Sequence, residues 1–206
     1  MWPAVRDRFP AFSAQFEGRI AWMYLDIKGL VTTGVGNLID PIGCALGLPW
    51  AHKSDSSPAG RAEIQVEWER IKGATYLAKA GWRAAGAITT LQLLPAGIDA
   101  LVLERLDIDD KYLAAFFPNW ADFPADAQLG MLSMAWAMGP GFVHTFKNFV
   151  GAVNAGDWAS AAKDDEMNAT HNPGLKPRNA ADFTLFNSAT ITTDTGRDPS
   201  QLYTGL

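Results

Sequence analysis

Glu17, Asp26 and Thr32 are three polar residues close together near the start of the chain. Glu17 is followed after eight intervening residues by Asp26, and after five more by Thr32. Hydrolysing a glycosidic bond needs a proton donor for the leaving oxygen. It also needs a negative group near the developing oxocarbenium charge, or one that activates water. Two carboxylates in unlike surroundings can divide these roles, the one in apolar surroundings staying protonated and the solvated one ionised. Glu17 follows the apolar Phe12 and Phe16, which suits the acid, and Asp26 stands beside a turn open to water, which suits the base. An acidic pair alone is no signature in a chain with 22 acidic residues, so context has to decide.

Two elements must position these groups. Phe9, Phe12 and Phe16 recur at helical spacing, which predicts a helix through Glu17 that buries its apolar face and ends at Gly18. The run Leu30-Val31-Thr32-Thr33-Gly34-Val35 is rich in β-branched residues and bounded by glycines. With Ile27-Lys28-Gly29 as the turn back to Tyr24-Leu25-Asp26, it predicts a β-hairpin, the only sheet the pattern supports.

The surrounding text reads Phe16-Glu17-Gly18, Tyr24-Leu25-Asp26, Lys28-Gly29, then Thr32-Thr33-Gly34-Val35-Gly36-Asn37-Leu38. It resembles the Glu-Asp-Thr signature of phage-type lysozymes, including a Tyr two before the Asp and a Gly-x-Gly after the Thr. The resemblance implies Glu17 as general acid. It implies Asp26 as the group that activates or positions the attacking water, or stabilises the cationic transition state, and Thr32 as a hydrogen-bonding holder of that water. The family pattern often has His after Gly-x-Gly, where this chain has Asn37.

The second half continues the likeness. Leu132-Ser133-Met134-Ala135-Trp136-Ala137-Met138-Gly139 resembles the family's central core helix, and Phe146-Lys147-Asn148 and Asp157–Ala162 resemble the next two. Asn172–Asn179 resembles the turn into the last helix, whose arginine, Arg178, is expected to pair with the catalytic glutamate. Leu38 and Trp136 map near the family's cleft and would contact sugar rings, although Trp136 in a helical stripe fits a core position equally well. The resemblance is firm over 12–39, fair over 125–188 and poor over 40–120.

What it implies is an α+β, mainly helical, lysozyme-like fold in a single domain over 1–206. A small lobe of about 18–75 would hold the hairpin and an insert, and a helical lobe of 1–17 and 76–206 would lie across a cleft. The implied activity is that of a muramidase cleaving the MurNAc–GlcNAc bond of a peptidoglycan glycan strand, without cofactor or metal. Inversion is expected if the carboxyls stand roughly 6.5–9.5 Å apart. The implied settings are a phage endolysin or an effector delivered to a rival's periplasm, with an immunity or inhibitor protein and delivery machinery as partners. The alternatives are a non-catalytic peptidoglycan-binding module of the same fold and a lytic transglycosylase.

The rest of the chain reads as helices. One is expected from a Ser57–Pro58 cap to about Lys72, with Ile64, Trp68 and Ile71 on one face. Others fit 74–85, 98–106, 109–117, 125–138, 141–154, 157–167 and 177–188, with an extended or frayed tail from Thr190. Asp107 or Asp109 suits a helix cap. Asp164-Asp165-Glu166 suits a solvated helix end, Phe149 a core position and Cys44 a buried structural thiol. His52, His144 and His171 lack zinc-type spacing.

At 206 residues and 48% hydrophobic, the chain can bury a core. A net charge of −5 argues against non-specific nucleic-acid binding. The N-terminus has no apolar stretch behind a basic start, so a signal peptide is not expected. Gly86–Gly97, nearly uncharged, is too short to span a bilayer.

Overall fold

The structure, a computed structural model, describes residues 1–170 and 172–205, so the expectation for His171 lies outside the described residues. The chain is α+β and mainly helical. It forms two compact units, Met1–Phe16 with Leu103–Leu206, and Glu17–Val102. The stretch 76–102, expected with the helical lobe, groups with the hairpin.

Helix α1 (Pro3–Glu17) buries Val5, Phe9 and Phe12. It ends where Gly18 takes φ +73°, a left-handed conformation that favours glycine. Strands β1 (Ile20–Leu25), β2 (Val31–Gly34) and β3 (Asn37–Leu38) form one antiparallel sheet in sequence order. The hairpin is thus present, with a third strand and with a register shift in β1 between Ile20 and Tyr24.

Next come α2 (Ile42–Leu46), β4 (Trp50–His52), α3 (Arg61–Gly73), α4 (Leu77–Ala80), α5 (Trp82–Ile88) and β5 (Leu91–Leu93). Strands β4 and β5 pair antiparallel as a second sheet, which the expectation of a single hairpin missed. Each strand is only three residues long, too short for a readable alternation. The Ser57–Pro58 cap is also overturned. His52 N donates to Ser57 O at 2.8 Å and Ala59 N to Trp50 O at 2.9 Å, holding this segment extended beside β4. Helix α3 therefore starts after Gly60, whose N–H donates to Glu63 Oε2 at 2.7 Å. The helix expected over 74–85 is split by Gly81 at φ +83°.

Residues 40–102 back the β1–β2–β3 sheet. Helices α3 and α5 both contact β1. Trp68 Nε1 donates to Ile39 O at 3.0 Å. Glu67 is buried, and its Oε1 accepts the Thr90 and Leu91 N–H groups at 2.7 and 3.1 Å, while Arg70 pairs with its Oε2. A carboxylate on α3 therefore anchors the start of β5.

Helix α6 (Pro95–Phe116) runs unbroken through both segments expected over 98–117. Asp107 and Asp109 are interior rather than caps, because no break separates the two segments. Asp109 is buried and receives Arg105 Nε at 3.0 Å, and Arg6 Nη2 reaches Asp107 at 3.0 Å. Helix α7 (Ala125–Met138) is buried along nearly its whole length, with Asp126, Gln128 and Ser133 buried among its apolar residues. At Gly130 it approaches so closely that an added Cβ would lie 2.9 Å from the Phe186 ring.

After a 3-10 turn over Pro140–His144 come α8 (Lys147–Ala155), α9 (Trp158–Asp164) and α10 (Leu175–Thr195). Phe149 is fully buried. Helix α10 packs on α7 and α9 and runs past Thr190, against expectation. The Thr190, Thr193 and Thr195 hydroxyls donate to carbonyls four residues back, which keeps them compatible with a helix. The acidic run is not simply solvated, since Asp165 is 3% exposed. Cys44 is exposed rather than buried, because α2 buries only Ala45.

Candidate functional site

Glu17 is the last residue of α1 and is exposed. Phe12 and Phe16, one turn apart, stack edge-on at 5.2 Å. Glu17 lies about 100° further round the helix, off that aromatic row. The apolar surroundings expected for the acid are therefore not found at its side chain.

Asp26 directly follows β1. Its Oδ1 accepts the backbone N–H groups of Lys28 and Leu30, both at 2.8 Å, and its own N–H donates to Leu30 O at 2.9 Å. The turn thus holds the carboxylate by one oxygen, and Oδ2 carries no hydrogen bond among the described residues. Lys72, reaching from α3, donates to Gly29 O at 3.0 Å and pairs with Asp40, whose Oδ2 accepts Val31 N–H at 3.2 Å. That link lowers the Asp40 carboxyl below its ordinary range, chiefly through the Lys72 hydrogen bond.

Thr32 is in register with Tyr24 on β1 and with Leu38 on β3, so the three form one cross-strand row. Thr32 is 5% exposed, and its hydroxyl donates to Leu30 O at 3.2 Å. Leu38 is 54% exposed, open to a ligand. The Tyr24 hydroxyl is pushed up to about 12, by burial first and then by the negative charges of Asp26 and Glu17. Tyr24 is a candidate site residue to which sequence reasoning gave no role. Its place two residues before Asp26 was visible, but in a strand that spacing means only the same face.

Trp136 and Arg178 belong to the other unit. Trp136 is 9% exposed and packs on Phe9 at 5.3 Å, with the Arg105 guanidinium 5.2 Å from its ring. This is the core position that its helical stripe allowed. Arg178 is 1% exposed and donates through Nη1 to Ser133 O and Oγ at 3.3 and 3.2 Å, with its guanidinium 4.7 Å from the Phe16 ring. One turn on, Asp182 is pushed well above the ordinary carboxylate range by burial, against the pull of Ser133 and Arg178.

No protein-family model matches this chain, and no curated protein matches it. Among the described residues no group of three His, Cys, Asp or Glu could hold a metal, and no helix is long and apolar enough to cross a membrane. His52 lies 3.3 Å from Glu63, and His144 hydrogen-bonds Tyr112 at 3.0 Å. Chemically, the hairpin offers a carboxylate fixed at one oxygen and a hydroxyl with acceptor capacity, and the end of α1 adds the exposed carboxyl of Glu17.

Proposed function

We propose that this protein is a peptidoglycan hydrolase of the phage-lysozyme type, a muramidase that cleaves the bond between N-acetylmuramic acid and N-acetylglucosamine. The observation that carries this reading is that the helix closed by Glu17 leads directly into a hairpin whose turn fixes Asp26 by one oxygen and whose β1–β2 ladder sets Thr32 opposite Tyr24.

Glu17 acts as general acid, donating its proton to the leaving glycosidic oxygen. Its exposure lets a large polymer reach it. Asp26, anchored through Oδ1, keeps Oδ2 for a water, taking its proton as it attacks the anomeric carbon. The Thr32 hydroxyl spends its proton on Leu30 O and so accepts a hydrogen bond from that water, fixing its direction. Leu38 offers an exposed apolar surface to a sugar ring.

Turbidity loss of purified walls, measured with wild type and Glu17→Gln, tests this. The substitution should lower the rate by about 10²–10⁴-fold, the usual contribution of a general acid. Equal rates would remove Glu17 from the chemistry, and an inactive wild type that still binds walls would make the chain a binding module. Mass spectrometry of the products should show reducing-end muropeptides, whereas anhydro ends would mean a transglycosylase.

A further inference from the structure

We propose that the helical unit carries a second binding site, for a short peptide bearing both an amine and a carboxylate. The identity of the ligand, the peptide stem of the wall polymer, rests on the peptidoglycan reading above. The site itself rests on geometry.

A concavity of about 620 Å³ lies where the 3-10 turn Trp120–Asp122, the α8–α9 junction and the end of α10 meet the start of α7. Its volume is that of a small-ligand site. None of Glu17, Asp26 or Thr32 borders it. Asp122 and Arg197 do, and neither forms an ion pair among the described residues. The side-chain amides of Asn119 and Asn154 also border it and hold no hydrogen bond among the described residues. Thr192, on the same wall, has a buried Oγ1 with no hydrogen-bond partner among the described residues. Trp158, 4% exposed and stacked edge-on against Phe123 at 5.1 Å, supplies a rigid aromatic face.

The wall carrying Arg197 is built in advance. Ala125 N donates to Pro199 O at 2.7 Å. Buried Asp126 accepts Tyr203 N at 3.2 Å and Thr204 Oγ1 at 2.8 Å. The Arg197 guanidinium sits 5.1 Å from the Tyr203 ring. A ligand would therefore not have to order this segment, which favours binding.

The chemistry selects the ligand. A simple anion would meet Asp122 as a repulsion, and a neutral saccharide would leave both charges without a counter-charge. A ligand with an amine and a carboxylate answers both, and complementary charges of this kind give specificity.

The full-length protein should be titrated with D-alanyl-D-alanine and, separately, with tri-N-acetylchitotriose, following the Trp158 indole resonance and the heat of binding. The dipeptide should bind with Kd below about 1 mM and shift that resonance, and Arg197→Gln and Asp122→Asn should each weaken it about tenfold. Both side chains are exposed, so circular dichroism should be unchanged. No dipeptide binding, binding indifferent to both substitutions, or competition by the trisaccharide at Trp158 would overturn the proposal. Wall lysis that depends on Glu17 without dipeptide binding would remove this site and leave the muramidase reading. Dipeptide binding with lysis indifferent to Glu17 would do the reverse.

Discussion

Tyr24 stands directly across the β1–β2 ladder from Thr32, and its hydroxyl responds to the charges of both Asp26 and Glu17. The phenol is thus a built-in reporter of whether the two carboxyls share one site. Its titration, taken as the difference between wild type and Tyr24→Phe, should lie near 12. Removing either negative charge, in Asp26→Asn or Glu17→Gln, should lower it part of the way toward the ordinary value, burial retaining the remainder. Ultraviolet titration of the phenolate checks this, and no movement in either variant would separate the two carboxyls.

Lys72 ties α3 to the turn that holds Asp26. Lys72→Met should cost about 1 kcal/mol or less at neutral pH, since the lysine is partly exposed, and roughly 2–4 °C in Tm. Asp40 titrates below its ordinary value in the folded chain, so its contribution is present above that value and lost as pH falls through the folded one. The Tm difference between variant and wild type, followed by calorimetry, should therefore shrink in acid.

Glu67 is a structural carboxylate. Replacing it with Leu leaves the Thr90 and Leu91 N–H groups without their acceptor inside the fold. About 3 kcal/mol should be lost, or roughly 6–12 °C in Tm. Glu67→Gln, which keeps an acceptor oxygen, should recover part of it, as measured by thermal denaturation.

Asp165 should make the protein less stable as pH rises toward neutrality. Burial first, then the charges of Glu166 and Asp164, push its carboxyl up to about 7. The folded state then holds a proton that the unfolded chain has released, so stability falls between about pH 4 and pH 7 and levels off above. Asp165→Asn should flatten that slope and raise Tm at pH 8 by on the order of 3 °C. A slope unchanged by the substitution would assign the pH dependence to another group, Asp182 being the next buried carboxyl.

Local signals in the chain were enough for the elements that carry the candidate chemistry. The Phe9–Phe12–Phe16 row and Gly18 marked α1 and its end, and the β-branched run after Gly29 marked β2. These features act over a few residues, through side-chain periodicity and turn geometry, and can be read without knowing the rest of the fold. The apolar run of α7 likewise announced a core helix.

The tertiary structure decided what no local pattern encodes. Strands β4 and β5 are three residues each and exist because each finds the other about forty positions away, with Glu67 anchoring the second. The pairing of Tyr24 with Thr32 exists only because β2 folds back on β1. Asp165 was read as solvated from its neighbours in sequence, whereas its titration depends on desolvation. Long-range pairing and burial depend on which distant residues share a volume, and the linear order of the chain does not specify that.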